Sequence, residues 1–207
     1  MTMNKKQFSV IVFDLGNVLI PFNYNIFLKK LEDIEGGLGK KFYDLYKENY
    51  HVHQKFERWE LSNSEFLSIV LGWLDNKIDE EYFCEIYSDI FSENKELTAL
   101  LPILKEDFIL VLLSNTNDIH RRYGWSRFDF LQHFDKLVLS HEVGAIKPEE
   151  MIYRAVTDFT KEQPEKHLFI DDVVEYAEGA KKLGWDALQF TGTKELIDQF
   201  KARGILS

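Results

Sequence analysis

Five short apolar runs, set apart by helix-length stretches, constrain this chain more than any other feature. They are 8–13 (FSVIVF), 108–113 (FILVLL), 136–139 (KLVL), 167–170 (HLFI) and 187–190 (ALQF). Nearly continuous apolar runs, rather than alternating ones, belong to strands covered on both faces, which is the condition of a parallel sheet. Strand and helix in alternation then predict the α/β class with a doubly wound parallel sheet.

Between residues 22 and 92 the alternation stops. This interval has no comparable strand, but it has amphipathic stretches of helical period at 24–33, 40–59, 62–73 and 79–90. Ser62 and Glu65 stand ahead of Phe66 and Leu67 in capping-box spacing, and Asp79 reads as the cap of the next helix. The expected organisation is an all-helical domain, 22–92, inserted into an α/β core of residues 1–21 and 93–207. A chain of 207 residues accommodates a core domain with one such insertion.

Composition narrows the function classes. With 45% hydrophobic residues, 4 Pro and 11 Gly, disordered and collagen-like chains are excluded. No apolar run approaches the roughly 18 residues of a membrane span, and Asp14 interrupts the stretch that a signal peptide would need. The single cysteine, Cys84, permits no intramolecular disulfide and is expected to fill space in a helix. These features lead us to expect a cytoplasmic protein. A net charge of -10 disfavours nucleic acid and anionic membranes as partners, so a phosphate ligand would have to be met locally, by a metal, a lysine or backbone amides. The insertion, with 8 basic and 14 acidic residues, is the most acidic part, which suits one small phosphate better than a polyanion. The sequence leaves the oligomeric state open.

In a parallel α/β sheet the carboxyl ends of the strands line the ligand crevice. Asp14 follows the first run, Ser114-Asn115-Thr116-Asn117 the second, Gly144 to Pro148 (with Lys147) the third, and Asp171-Asp172 the fourth. Taken singly, each has a plain structural reading: turn formers, a surface lysine before a proline-started helix, a helix cap. Taken together, three carboxylates converging on one edge would repel one another unless a cation lies between them, and hard oxygen ligands suit Mg2+. Ser114, its neighbouring amides and Lys147 would hold the remaining oxygens of a phosphate.

In this order and spacing the chain resembles the haloacid dehalogenase superfamily of aspartyl-nucleophile hydrolases. FDLGNVLI matches the first motif, LLSNTN the second, Lys147-Pro148 the third and FIDD the fourth. The helical insertion resembles the cap of subfamily I, and FERWELSNSEF resembles a cap segment of the branch that includes glucose-1-phosphate phosphatases. The resemblance implies that Asp14 attacks phosphorus to form an aspartyl-phosphate, and that Ser114, Asn115 and Lys147 bind the phosphoryl oxygens. It also implies Mg2+ on Asp14, the Gly16 carbonyl and Asp172, with Asp171 either a further ligand or a support behind them. The expected activity is a Mg2+-dependent phosphatase acting on a small phosphorylated metabolite. A metal-independent 2-haloacid dehalogenase, a phosphomutase and a catalytically weak metabolite-binding module are the competing readings.

Two positions depart from the family pattern. Gly16 stands where most phosphatases of the superfamily carry an acidic proton donor, so either an activated leaving group or the cap, through His51, His53 or Glu57, would have to compensate. Tyr176 stands where the branch has a small polar residue. The tryptophans Trp59, Trp73, Trp125 and Trp185 are expected to fill the core and the core–cap contact, with Trp59 alternatively stacking on a sugar. The other histidines, His120 among them, default to structural roles.

Overall fold

The computed structural model describes residues 7–207, so the first six residues of the segment expected at 1–21 lie outside the described residues. Strand β1 (Val10–Phe13) is followed by five helices: α1 (Tyr24–Ile34), α2 (Leu38–Glu48), α3 (Tyr50–Glu57), α4 (Asn63–Trp73) and α5 (Glu80–Ser88). Two short helices, α6 (Lys95–Thr98) and α7 (Leu101–Lys105), lead into β2 (Ile109–Ser114). Then come β3 (Lys136–Leu139), α8 (Ser140–Val143), α9 (Glu150–Thr160), β4 (His167–Asp171), α10 (Val174–Lys182), β5 (Asp186–Gln189) and α11 (Thr193–Ala202).

All five strands are parallel, in the order β3-β2-β1-β4-β5. Successive strand residues point to opposite faces. Ile11, Phe13, Leu110, Leu112, Leu168 and Ile170 therefore pack on one side with Leu97, Leu101, Leu104, Leu196 and Phe200. Val10, Val12, Val111, Leu113 and Phe169 pack on the other with Ile152, Tyr153, Val156, Ala177 and Ala180. Both faces are covered, as the continuous apolar runs require. No helix among the described residues is long and apolar enough to cross a membrane.

Helices α1 to α5 have a separate core, built around Phe27, Leu31, Phe42, Phe56, Phe66 and Phe83. Cys84 is buried there, on α5. The capping box of α4 is present: Ser62 Oγ accepts from Glu65 N, and the Glu65 carboxylate accepts from Ser62 N at 2.8 Å. Asp79 caps α5 by accepting from Tyr82 N at 2.8 Å. The single helix expected over 40–59 is instead two. Asn49, between α2 and α3, turns its side chain back onto Leu45 O at 2.9 Å, a local bond that competes with continuing the helix. The chain enters and leaves the helical segment side by side, with Asn23 N bonded to Ile90 O and Ser92 N to Pro21 O.

Candidate active site

Asp14, Ser114 and Asp171 stand at the carboxyl ends of the three central strands, and Lys147 reaches them from the loop that precedes α9. Lys147 is fully buried, and its Nζ donates to Asp14 Oδ1 and Asp171 Oδ2, both at 2.6 Å, and to Leu113 O at 3.2 Å. The plain reading of a surface lysine therefore fails. Burial by itself pulls the ammonium's pKa down, but the two carboxylates outweigh it, and the group stays charged.

The loop carrying Lys147 is pinned from two sides. Asn115 Oδ1 accepts from Lys147 N at 2.7 Å and Asn115 Nδ2 donates to Lys147 O at 3.3 Å, so this side chain is engaged with the lysine's own backbone. Glu149 accepts from Ile146 N at 3.3 Å and from Arg58, which directly follows α3, at 2.9 and 2.5 Å. The 114–117 turn is held by Ser140, whose Oγ accepts from Thr116 N and donates to Thr116 O, and by Trp125 Nε1 on Thr116 Oγ1. These supports leave no signal in the sequence beyond the presence of polar residues after a strand.

Asp14, Asp171 and Asp172 each bring a carboxylate oxygen within 4.8 Å of the others. Burial pushes Asp14 up to about 7, with Lys147 opposing and Asp171 and Asp172 reinforcing the rise. Asp172 is also raised, by burial first and by Asp171 next. A hard cation between these oxygens would favour the charged forms, and an all-oxygen donor set of this kind fits Mg2+. The three aspartates are not equivalent. Asp171 has no exposure, and both its oxygens are engaged, Oδ2 with Lys147 and Oδ1 with Val173 N at 2.8 Å. Asp172 is only half-buried, and its Oδ2 accepts from Asn17 Nδ2 at 3.3 Å.

A cavity of about 210 Å3 opens beside this cluster, between the strand ends and the helical segment. Gly16, Ser114, Asn115 and Tyr176 line one wall, and Tyr24, Tyr46, Tyr50, His53 and Glu57 the other. A Cβ on Gly16 would stand 3.1 Å from the Phe22 ring, so that ring takes up the space a side chain at position 16 would need. Tyr176 gains a physical account: its ring lies 5.1 Å from Lys147 Nζ, covering the ammonium, and its carbonyl accepts from Tyr153 at 2.8 Å. His53 is buried and pairs with Glu57 at 3.2 Å, whereas His51 is exposed. His120, read as structural in the sequence, also lines the cavity, stacked on Tyr87 and near the Tyr24 hydroxyl at 3.4 Å. Trp59 is nearly half exposed and lies beside His141, so it fills neither core.

A model of the haloacid dehalogenase-like hydrolases matches residues 8–184. The chain belongs to this family. Among curated proteins with similar sequence, bifunctional epoxide hydrolase 2 of Rattus norvegicus is 43% identical over 92 residues, 42% of this chain. The chain matches less than a fifth of the length of such epoxide hydrolases. D-ribitol-5-phosphate phosphatase of Bacteroides thetaiotaomicron is 26% identical over 190 residues, covering 86% of this haloacid dehalogenase-like chain and 90% of that one. A HAD family enzyme of the same bacterium, solved as a magnesium complex, has the same fold, with a TM-score of 0.82 at 23% identity over 95% of this chain and 100% of its own. That enzyme has also been solved with magnesium and inorganic phosphate, where the TM-score is 0.75 at 22% identity, over 88% of this chain and 93% of that one.

Proposed function

We propose that this hydrolase is a Mg2+-dependent phosphatase that cleaves a small phosphorylated metabolite through an aspartyl-phosphate on Asp14. The observation that carries this reading is the buried Lys147 bridging Asp14 and Asp171, with Asp172 in the same carboxylate cluster and Ser114 lining the adjoining cavity of about 210 Å3. The similarity to D-ribitol-5-phosphate phosphatase over most of both chains supports a sugar or polyol phosphate as substrate.

Asp14, Asp172 and the Gly16 carbonyl would hold Mg2+, which supplies charge neutralisation for the incoming phosphate. Asp171, with both oxygens already engaged, acts from behind by holding Lys147. Asp14 attacks phosphorus, the ester oxygen leaves, and water then cleaves the acyl phosphate. Lys147 and Ser114 stabilise the charge that spreads over the equatorial oxygens. Residues 22–92 act as a cap over a core of 1–21 and 93–207, and their side chains select the leaving group.

The test is phosphate release from D-ribitol 5-phosphate and a panel of sugar phosphates, with Mg2+ or with EDTA. Turnover that depends on Mg2+ is expected. A metal-independent haloacid dehalogenase would share Asp14 and Lys147 but would have no use for the open Asp172. Chloride release from 2-chloropropionate in EDTA, without phosphate release in Mg2+, would replace our reading with that one.

A further inference from the structure

Glycine at position 16 removes the usual place for a carboxyl beside the leaving group, and the Phe22 ring fills the space. An alkoxide is a poor leaving group, and proton donation to it typically contributes about 10^2- to 10^4-fold. The opposite wall of the same cavity carries a carboxyl that the phosphatase reading does not use. Glu57, at the end of α3, is buried, lines the cavity with Gly16 and Ser114, and pairs through Oε1 with His53 Nε2.

His53 is itself more than nine-tenths buried, and its Nδ1 has no hydrogen-bond partner. His53 Nε2 lies 3.2 Å from Glu57 Oε1, and the Tyr46 and Tyr50 rings pack beside the imidazole, so His53 holds the carboxyl through one oxygen. Glu57 shares the lining of this cavity with Tyr24, Tyr46, Tyr50 and Tyr176. Of these, Tyr176 covers Lys147, so the carboxyl is placed near the reacting edge. Among the described residues that line this cavity, Glu57 is the one carboxyl, and His53 stands behind it.

We propose that Glu57 is the general acid of the reaction, donating from the cap the proton that position 16 cannot. This rests on the phosphatase reading and deepens it. As the Asp14 oxygen bonds to phosphorus and the ester P–O bond breaks, the proton on the free carboxyl oxygen of Glu57 passes to the leaving oxygen, releasing an alcohol. In the second step water attacks phosphorus, its proton returns to Glu57, and the bond to Asp14 breaks with release of phosphate. The substrates implied are unactivated alkyl phosphates, such as the ester of a polyol or of a sugar's primary hydroxyl.

Leaving-group dependence tests this, because p-nitrophenolate departs without a proton and an alkoxide does not. In Glu57→Gln, which preserves shape and the contact with His53, kcat/KM on D-ribitol 5-phosphate is expected to fall about 10^2- to 10^4-fold. On p-nitrophenyl phosphate the loss should stay under about tenfold, below the range typical of lost proton transfer. An alkyl-to-aryl ratio equal to the wild type's, whatever the absolute rates, would overturn the proposal. Should Glu57→Gln not fold, Glu57→Asp carries the test: it keeps the proton but withdraws it by a methylene, so the ratio must fall, and an unchanged ratio is again fatal. Asp14→Asn run in parallel separates the two levels. If it still hydrolyses both esters, the phosphatase reading and the general acid fail together; if it is inactive and only the ratio test fails, Glu57 alone loses its role.

Discussion

Lys147 is the residue on which the site's electrostatics turn, since it alone neutralises two carboxylates that have no other buried cation beside them among the described residues. Removing one partner of a buried ionic cluster strands the others, at a cost of about 3–5 kcal/mol. Lys147→Met is therefore expected to lower stability by that order in urea titrations and to abolish turnover. The double variant Lys147→Met with Asp171→Asn should regain part of the stability and none of the activity, and a double variant no more stable than the single one would contradict this. His120 offers a second test. Burial pushes it from an ordinary 6.5 down to about 3, with His53 adding to the effect. Between those values the unfolded chain takes up a proton that the folded chain refuses, so stability is lost as pH falls from 6.5 towards 3. In His120→Phe the decline of the urea midpoint across that window should be shallower by as much as one proton, and an unchanged slope would contradict the assignment.

The residues at the strand ends were legible in the sequence because a parallel sheet delivers the residue after each apolar run to a common edge. What they do there was less legible. Nothing in the run of residues indicates that Lys147 is buried between Asp14 and Asp171, or that the Asn115 side chain is turned onto the lysine's backbone. The role of Tyr176 likewise depends on a contact with a residue 29 positions earlier in the chain.

At the scale of elements, the five strands fall within a residue or two of the apolar runs, since both faces of each strand are covered and composition alone reports that. The helices between 22 and 92 were placed well where a cap marks the start, as at Ser62 and Asp79, and poorly at Asn49, where a side chain interrupts a period that otherwise continues. The six-residue π-helical turn at His120–Trp125 had no sequence signal. It packs against α5, and a Cβ on Gly124 would lie 2.8 Å from the Phe91 ring and 3.1 Å from Ser88 O. Gly124→Ala should accordingly cost about 1–3 kcal/mol through overpacking, read as a lowered melting temperature. A variant as stable as the wild type would mean that the turn can retreat from α5.

For the whole molecule, the two cores divide the labour. The sheet ends carry Asp14, Ser114 and Asp171, with Lys147 reaching them from the loop before α9, while the inserted helices supply Tyr24, Tyr46, Tyr50, His53 and Glu57 on the other side of the cavity. Helical periodicity indicates that a face is buried but not which neighbour it meets, so the composition of that wall emerged only from the structure. The acidity of the helical segment, inferred from charge alone, is consistent with one small ester whose phosphate is neutralised on the sheet side.

The central claim is that phosphate leaves its ester by transfer to Asp14. Rapid acid quench during turnover of D-ribitol 5-phosphate with Mg2+, followed by mass spectrometry of the peptide that contains Asp14, tests it most directly. The expected result is a transient phosphorylated peptide in the wild type that decays as free phosphate appears, with both signals absent in Asp14→Asn. Undiminished phosphate release by Asp14→Asn would contradict the account.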